Sequence, residues 1–320
     1  MAFAFVFPGQ GSQSVGMLAG LAEGSDGVGA TFAEASGVLG YDLWKLVQEG
    51  PREKLDATEC TQPAMLAAGV ATYRLWRQRG GGEPAVMSGH SLGEFTSLVC
   101  AGALDFSEAV DLVCFRGQVM QSAVPQGQGA MAAVLGLDDS EVIAACEEAA
   151  QGEVVEAVNF NSPGQVVIAG QSAAVQRAIE AAKARGAKRA LLLPISVPSH
   201  SSLMHEAGER LARKLEQVRI QSPHIAYISA VDARPHTEPA EMRQHLARQL
   251  ARPVLWTRTV QALLAQPVQQ LIECGPGKVL TPLNRRIEKR ADVGYFALED
   301  AASFDTALSA TRAGDGGAHA

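Results

Sequence analysis

Residues 89–93 read GHSLG, and this pentapeptide lies between a short apolar run and a run of helix-forming residues. A strand, a sharp G-x-S-x-G turn and a helix in this order are typical of a nucleophile elbow, which presents a serine hydroxyl above a parallel sheet. Gly89 and Gly93 lack the β-carbons that would crowd the turn, and the helix start leaves backbone N–H groups free beside Ser91. The stretch favours a parallel α/β fold with a nucleophilic serine, and a glycine-rich βα turn without chemistry is the alternative.

The composition is that of a globular protein. The chain has 320 residues, of which 47% are hydrophobic and 19% charged, so it can bury the core of one large domain or two. A net charge of −7 argues against a nucleic-acid binder, because such proteins neutralise phosphates. No apolar stretch reaches the roughly 18 to 20 residues that span a bilayer, and the apolar start lacks the basic residues of a signal peptide. We expect no nucleic-acid partner, no membrane contact and a cytoplasmic location.

Two further patterns argue against common kinds of site. The five cysteines are odd in number and show no C-x-x-C spacing, so we expect neither a disulfide framework nor a metal site. The loop over 8–16, PGQGSQSVG, lacks the GK[ST] of a phosphate-binding loop and the third glycine of a dinucleotide fingerprint. A glycine-rich turn of this kind can instead supply a backbone N–H to an oxyanion.

The order of predicted elements changes twice along the chain. Up to about residue 124, short apolar runs alternate with helical runs, which predicts a parallel sheet covered by helices. A β-α-β-β-α-β order follows, which is the ferredoxin-like unit, and the alternating pattern then returns. The predicted helices cover 61–79, 107–124, 140–150, 173–185 and 203–217, and the predicted strands cover 1–7, 84–88, 130–137, 154–159, 165–169, 189–195, 226–231 and 270–274.

A nucleophilic serine needs a base, and His200 is the best placed of the seven histidines. It ends the sequence VPSH, where the inserted unit stops and the larger pattern resumes, and clefts form at such junctions. His90 directly precedes Ser91 and would normally point away from it. Asp232 and the other carboxylates have ordinary solvated or capping explanations, so we predict a Ser-His dyad. A loop histidine without a chemical role is the alternative for His200.

Arg116 lies on the apolar stripe of its helix. Its neighbours three and four residues away are Leu112, Val113, Val119 and Met120. A guanidinium at such a position is costly unless it is paired, and it cannot lose its proton to escape that cost. Either a structural carboxylate pairs with Arg116, or a carboxylate arrives with the substrate and is bound by the planar fork.

Eight motifs in order carry a resemblance to a known family. They are GQGSQ at 9–13, TQPA at 61–64, GHSLGE at 89–94, Arg116, NSPGQ at 161–165, VPSH at 197–200, RQL at 248–250 and GPGKVL at 275–280. Over nearly its whole length the chain resembles the malonyl-CoA:acyl carrier protein transacylase family. An inserted ferredoxin-like unit is what the fold of that family would have.

The resemblance implies a role for each matching residue. Ser91 would be the nucleophile and His200 its general base and acid, while Arg116 would bind the malonyl carboxylate. The other implied roles are a histidine-orienting main-chain carbonyl at Gln249, backbone oxyanion donors at Gln10 and Leu92, and pocket walls at Gln62, His90 and Met120. Where that family commonly has asparagines, this chain has Ser229 and Ala230, so the contribution of this strand to the pocket stays open.

These observations together predict an α/β fold with two domains. The larger, α/β-hydrolase-like domain has a parallel sheet and comprises residues 1–126 and 197–308. The smaller, ferredoxin-like domain is inserted at 127–196. Residues 309–320 end in a stretch with little apolar content, and we expect a disordered tail there.

The implied reaction moves a malonyl group from malonyl-CoA to the phosphopantetheine thiol of acyl carrier protein through a malonyl-serine ester, for fatty acid elongation. It would need no cofactor, and we expect a monomer. Basic clusters over 183–189 and 285–290 could receive the acidic carrier protein, although solvated helix faces are the simpler interpretation. Alternatives for the function are a free-standing acyltransferase of polyketide synthesis, a serine thioesterase or other hydrolase, and a non-catalytic carrier-docking protein.

Overall fold

A computed structural model of the chain describes residues 2–195 and 197–312. Up to residue 126 it places the elbow glycines at the end of a strand and the start of a helix. The elements of this part are β1 (Phe3–Phe7), α1 (Ala19–Ala22), α2 (Asp26–Leu39), α3 (Leu43–Glu49), α4 (Arg52–Leu55), α5 (Thr58–Gln78), β2 (Val86–Gly89), α6 (Gly93–Cys100) and α7 (Phe106–Ser122). The helices predicted over 61–79 and 107–124 are α5 and α7, and their ends differ from the prediction by one to three residues.

The next part of the chain has the predicted β-α-β-β-α-β order. Its elements are β3 (Gly129–Leu135), α8 (Asp139–Ala150), β4 (Val155–Ser162), β5 (Gln165–Gln171), α9 (Ser172–Ala184) and β6 (Arg189–Leu192). They form an antiparallel sheet of strand order β4-β5-β3-β6, as a ferredoxin-like unit requires. Strand β6 stops short of the predicted end at 195, because Pro194 has no N–H group with which to continue the ladder.

The last part returns to the larger domain. After a 3₁₀ turn (Ser202–Met204) come α10 (His205–Leu215), β7 (Ala226–Tyr227), α11 (Pro239–Arg248), a second 3₁₀ turn (Gln249–Ala251), α12 (Trp256–Leu264), β8 (Gln270–Glu273), α13 (Leu280–Ile287), β9 (Gly294–Ala297) and α14 (Ala301–Arg312).

Two predictions about this last part are wrong. The strand predicted over 226–231 has two residues, because the chain turns back on itself: Ser229 N–H donates to the carbonyl of Arg234, and Ala233 adopts a φ of 58°. The disordered tail predicted over 309–320 is wrong for residues 309–312, since α14 continues to Arg312 and buries Leu308 and Thr311. Residues 313–320 lie outside the described residues, and the domain boundaries at 126 and 196 stay predictions.

A five-stranded parallel sheet brings the two site-bearing loops together. Its order is β7-β2-β1-β8-β9, and every neighbouring pair runs parallel. All five residues of β1 are buried, as expected of a central parallel strand covered on both faces. Phe7 at the end of β1 pairs with Gly89 at the end of β2. The loop after β1 and the elbow after β2 therefore leave the sheet side by side at its carboxyl edge, where ligands bind in open α/β sheets.

Each domain has an apolar core of its own. In the larger domain the aromatic rings of β1 pack on α5, and the ring centroids of Phe5 and Trp76 are 5.3 Å apart with an edge-to-face geometry. The inserted domain packs α8 and α9 against one face of its sheet and buries Val134, Ile168 and Ala178. Among the described residues, no helix combines the length and the apolar character that crossing a bilayer requires.

Hydrogen bonds along one edge of the inserted sheet hold the two domains together. β4 is an edge strand, and the backbone N–H of Phe160 donates to the carbonyl of Val254 at 2.9 Å. The N–H of Val254 in turn donates to the carbonyl of Val158 at 2.8 Å. This pairing places β4 beside the segment that follows Gln249, so that both domains line the cleft above the elbow.

Candidate active site

The turn at Ser91 is as tight as the glycine pattern predicts. A β-carbon added to Gly89 would lie 1.9 Å from the carbonyl carbon of Gly93, and one added to Gly93 would lie 2.1 Å from the carbonyl oxygen of Phe7. Ser91 itself has a φ of 53°, in the left-handed region that residues with a β-carbon rarely adopt. Backbone strain of this kind is found at functional sites, where the surroundings impose it. It points the serine hydroxyl away from the sheet and into the cleft.

His200 lies within hydrogen-bond distance of that hydroxyl, as the dyad prediction requires. The distance from Ser91 Oγ to His200 Nε2 is 2.8 Å. On the other side of the ring, Nδ1 lies 2.8 Å from the carbonyl oxygen of Gln249 and 3.1 Å from that of Arg252. Since carbonyl oxygens only accept hydrogen bonds, Nδ1 carries the proton and the unprotonated Nε2 faces the serine. No carboxylate is needed to orient this imidazole.

The imidazole is also kept neutral. His200 is 4% exposed, and burial, followed by the charge of Arg116, lowers its pKa from 6.5 to about 3. At neutral pH its Nε2 is therefore free to take the proton of Ser91. A buried imidazolium is costly here, so His200 is neutral in the folded chain at neutral pH.

Arg116 is buried beside the same hydroxyl without a carboxylate partner among the described residues. It is 1% exposed. Its Nη1 donates to Gln62 Oε1 at 2.9 Å, and its Nη2 donates to Gln249 Oε1 at 2.7 Å and to Ser91 Oγ at 3.2 Å. Burial lowers the pKa of Arg116 to about 9, while the charge of Glu94 opposes that shift. The guanidinium is thus cationic at neutral pH and held by neutral groups, which excludes a direct structural carboxylate as its partner in the described part of the chain.

Gln249 connects all of these groups. Its carbonyl oxygen accepts from His200 and its side-chain oxygen accepts from Arg116, as given above. Its Nε2 donates to the carbonyl of Ser91 at 3.0 Å and to Glu94 Oε1 at 2.7 Å. One amide side chain therefore sets the relative positions of the serine, the histidine and the arginine.

Sequence reasoning missed two residues behind Gln249, namely Glu94 and Tyr227. Glu94, in the first turn of α6, is 1% exposed, and burial raises its pKa. Its second carboxyl oxygen accepts a short hydrogen bond from Tyr227 Oη. Glu94 stands in the quoted GHSLGE motif, and the signal that could have found it is that it is the one charged residue of the helix GEFTSLVC.

The predicted oxyanion donors line a small cavity above the dyad. The cavity has a volume of about 60 Å³, and Gln10, Ser91, Leu92, Arg116 and His200 are among its lining residues. The backbone N–H groups of Gln10 and Leu92 donate to no acceptor within 2–195 or 197–312. A β-carbon on Gly9 would lie 2.5 Å from the carbonyl oxygen of His90, so the loop after β1 is pressed against the elbow. Two residues whose backbone N–H groups are free thus line one cavity with the serine.

The comparisons with known proteins agree with this geometry. Residues 4–294 match the acyl transferase domain family. The malonyl CoA-acyl carrier protein transacylase of Escherichia coli (strain K12) is 58% identical over 285 residues, which are 89% of this chain and 92% of that protein. This chain belongs to the malonyl CoA-acyl carrier protein transacylase family.

Solved structures of this family have the same fold. An acyl carrier protein S-malonyltransferase from Vibrio cholerae superposes with a TM-score of 0.93 at 56% identity. The superposition covers 96% of this chain and 100% of the Vibrio cholerae chain. A malonyl-transacylase in complex with a type II PKS acyl-carrier protein superposes with a TM-score of 0.95 at 53% identity, covering 97% of this chain and 100% of that one. The α/β fold with a parallel sheet and a separate antiparallel sheet is thus that of the transacylase family.

The predicted pocket walls surround the guanidinium and the elbow. Gln62 Nε2 lies 3.2 Å from Met120 Sδ, while the side-chain oxygen of Gln62 accepts from Arg116. His90 points away from Ser91 into the domain interface, where its Nε2 lies 2.8 Å from Asn161 Oδ1. His90 and Met120 line the cavity, whereas Gln62 lies behind its wall. The inserted domain adds lining residues that sequence reasoning missed, namely Met131, Asn159 and Ile195.

Ser229 and Ala230, the departure from the family pattern, lie behind the site. Neither residue lines the cavity. The Ser229 side chain and the Ala230 backbone lie near the carboxyl group of Glu94 and oppose the rise of its pKa that burial causes. In this member of the transacylase family, that segment therefore supports Glu94 and contributes no wall to the pocket.

The predicted basic clusters are largely paired within the chain. Arg185 contacts Glu141 at 2.9 Å and Glu148 at 3.0 Å. Arg290 contacts Asp292, and Arg286 donates to Gln165 Oε1 at 2.8 Å. These contacts favour the interpretation of solvated surface pairs, and docking of a carrier protein at either cluster stays a prediction.

Proposed function

We propose that this chain transfers the malonyl group of malonyl-CoA to the phosphopantetheine thiol of acyl carrier protein. It thereby supplies malonyl-acyl carrier protein for fatty acid elongation. The observation that carries the proposal is the double contact of Ser91 Oγ, 2.8 Å from the neutral His200 and 3.2 Å from the cationic Arg116. The first contact makes a nucleophile. The second places a positive charge beside the acyl group that this nucleophile receives.

The first half-reaction loads the serine. Ser91 Oγ attacks the thioester carbon of malonyl-CoA while His200 Nε2 takes the hydroxyl proton. The negative charge that develops on the carbonyl oxygen is held by the N–H groups of Gln10 and Leu92. Losing one such donor typically costs roughly 100-fold to 1,000-fold in rate. When the tetrahedral intermediate collapses, the carbon–sulfur bond breaks, the CoA sulfur takes the proton from His200, and a malonyl-serine ester remains.

The second half-reaction transfers the malonyl group from Ser91 to the carrier protein. His200 Nε2 takes the proton of the phosphopantetheine thiol, and the thiolate attacks the ester carbon of malonyl-Ser91. The same two N–H groups hold the oxyanion. The ester bond breaks, Ser91 Oγ recovers the proton from His200, and malonyl-acyl carrier protein leaves. Every proton moves between substrate, serine and histidine, so we propose that neither half-reaction needs a cofactor.

Arg116 sets the specificity in this proposal. A malonyl group carries a carboxylate that the guanidinium fork can bind through two hydrogen bonds, whereas an acetyl group carries none. Hydrogen bonds to charged groups contribute about 1.5 to 3 kcal/mol. An acetyl group would leave the guanidinium with its amide contacts to Gln62 and Gln249, so acyl groups that carry a carboxylate are favoured.

The experiment that tests the proposal follows the acyl group by mass. The protein is incubated with malonyl-CoA, the intact mass is recorded, and the modified peptide is mapped. We expect a malonyl adduct on Ser91 that holo acyl carrier protein discharges and water does not. Discharge by water at the same rate would make the protein a hydrolase, and no adduct on the wild-type protein would refute the covalent mechanism.

A carrier of polyketide synthesis is the second candidate acceptor. One observation favours it: the solved malonyl-transacylase in complex with a type II PKS acyl-carrier protein is 53% identical to this chain. Discharging malonyl-Ser91 with a fatty acid carrier and with a polyketide carrier in parallel separates the two. The monomeric state and the cytoplasmic location stay predictions, to be checked by light scattering and by cell fractionation.

A further inference from the structure

Two histidines and one aspartate converge on the surface of the larger domain. Asp232 and His236 belong to the loop that leaves β7, and His245 lies on α11. One ligand-capable atom from each of the three lies within 4.8 Å of the other two. The rings of His236 and His245 lie close together, with their centroids 4.1 Å apart and their planes tilted by 43°. None of the motifs that carry the family resemblance includes these residues, and no step of the proposed reaction uses them.

His245 has no hydrogen bond of its own within the described residues. Its Nδ1 is buried without a partner. Its Nε2 lies 3.8 Å from Asp232 Oδ2, which is too far for a hydrogen bond. An imidazole that packs beside a second imidazole and has no hydrogen-bond partner is unusual, because buried polar groups are nearly always paired. A cation bound between the rings and the carboxylate would give His245 Nε2 a partner.

The spacing of the donors fits a small divalent ion. In a tetrahedral site with bonds of about 2.1 Å, ligand atoms lie about 3.4 Å apart. His236 Nε2 lies 3.0 Å from Asp232 Oδ2, and His245 Nε2 lies 3.8 Å from the same oxygen, so the two distances bracket that value. The side chains of Asp232 and His245 are 29% and 23% exposed. An ion can thus reach the cluster from solvent.

The groups behind the donors are arranged as they are in metal sites. Metal-binding histidines usually donate their other ring N–H to a carboxylate or a carbonyl. His236 is 9% exposed, and its Nδ1 lies 3.3 Å from Glu241 Oε2. The carboxylate of Asp232 is held in turn, since its Oδ1 accepts from the backbone N–H of Arg234 at 3.1 Å. With Nδ1 directed at Glu241, His236 presents Nε2 to the carboxylate of Asp232, and an ion would lie between these two groups.

We propose that Asp232, His236 and His245 bind one divalent transition-metal ion of the Zn²⁺ type. Two imidazoles and one carboxylate are ligands that suit Zn²⁺, and water completes its coordination. The site is structural: it ties the loop after β7 to α11, outside the cavity at Ser91. The cysteine count and spacing argued against a metal, but Asp232, His236 and His245 come together through the turn after Tyr227, which no spacing rule covers.

Metal binding is measured on the full chain after treatment with a chelator. We expect calorimetry to show one equivalent of Zn²⁺ bound. Co²⁺ should give the visible absorption of a four-coordinate site without the near-ultraviolet bands of thiolate ligation, which separates this cluster from the cysteines. Bound Zn²⁺ should also raise the unfolding temperature, since an ion that binds the folded state stabilises it.

Variants locate the ion. His245→Gln and Asp232→Asn change half-buried ligands, and each should lower the affinity by more than about 100-fold, because loss of an outer-sphere partner alone costs about 10- to 100-fold. Glu241→Gln should fall within that smaller range. His224→Gln, which removes an exposed histidine elsewhere, should leave the affinity unchanged. Absence of binding to the wild type, or equal affinity in His245→Gln, Asp232→Asn and the wild type, would overturn the proposal and leave an Asp-His ion pair.

Discussion

Arg116 in the active-site cavity and Arg185 on the inserted domain carry the same charge in opposite surroundings. Arg185 is at the surface and contacts two carboxylates of its own chain, at 2.9 and 3.0 Å. Arg116 is 1% exposed and contacts two amides and a hydroxyl. Exposed ion pairs contribute little to stability, whereas a buried charge without a counter-charge is costly. The chain therefore pairs the arginine that could have stayed in water and leaves its buried one available to a ligand.

The largest expected effect comes from removing the nucleophile between Arg116 and His200. Ser91→Ala should lower malonyl transfer by at least about a thousandfold, as loss of a catalytic serine does in related dyads and triads. It should also abolish the malonyl adduct in the intact mass. An adduct of undiminished yield on another residue of Ser91→Ala would break the assignment of the cavity as the reaction site.

Substituting the two arginines separately breaks the comparison directly. Arg116→Ala should lower kcat/KM for malonyl-CoA by about 10- to 150-fold, which corresponds to the loss of charged hydrogen bonds of about 1.5 to 3 kcal/mol. Arg185→Ala should change it by less than about twofold, because its ion pairs are exposed. Steady-state transfer to holo acyl carrier protein measures both. Equal losses in the two variants would refute a special role for the buried guanidinium.

The same contrast extends to two glutamates. Glu94→Ala removes the acceptor of Gln249 Nε2 and of Tyr227 Oη, and leaving buried donors unsatisfied costs about 1 to 3 kcal/mol in the free energy of unfolding. Glu148→Ala, at an exposed partner of Arg185, should stay within about 0.5 kcal/mol of the wild type. Urea unfolding of both variants gives the two values. If Glu148→Ala proved the more destabilised variant, the contacts of Glu94 behind Gln249 would not contribute to the free energy of unfolding.

A further effect is expected in the pH dependence of stability. Burial and the charge of Arg116 lower the pKa of His200 from 6.5 to about 3, so the unfolded chain binds this proton at a higher pH than the folded chain does. The free energy of unfolding therefore falls as the pH drops from 6.5 towards 3.

His200→Gln should remove part of this loss, because glutamine does not titrate, and His224→Gln at an exposed position should leave it unchanged. Urea midpoints measured across that pH window test the difference. Identical acid sensitivity of His200→Gln and the wild type would show that His200 titrates normally.

How far the sequence predicts the molecule depends on how local the determinants are. The elbow could be predicted because Gly89 and Gly93 meet within five residues, and the inserted unit because each of its elements has its own periodicity. Arg116 was found because a charge on an apolar stripe is a conflict visible within one helix. The residues favoured His200 as the base only by its place at the domain junction, since more than a hundred residues separate it from Ser91. The role of Gln249 came from the family resemblance alone.

The features that the sequence did not predict depend on contacts between distant parts of the chain, which no local pattern encodes. Glu94 meets Tyr227 across 133 residues of chain, through side-chain directions that only the packed fold sets. Strand β7 is shorter than its apolar run predicts, because the chain turns at Ser229. The helix α14 extends beyond the predicted boundary at 308, because Leu308 and Thr311 find a core to pack against.

In the proposed function, the buried charge of Arg116 is reserved for the carboxylate of the substrate. The most direct test presents malonyl-CoA and acetyl-CoA together, in equal amounts, and reads the ratio of the two acyl adducts on Ser91 by intact mass in a single turnover. In the wild type the malonyl adduct should predominate, and in Arg116→Ala the preference should fall by about 10- to 150-fold while acetylation persists. An unchanged malonyl preference in Arg116→Ala would contradict the claim.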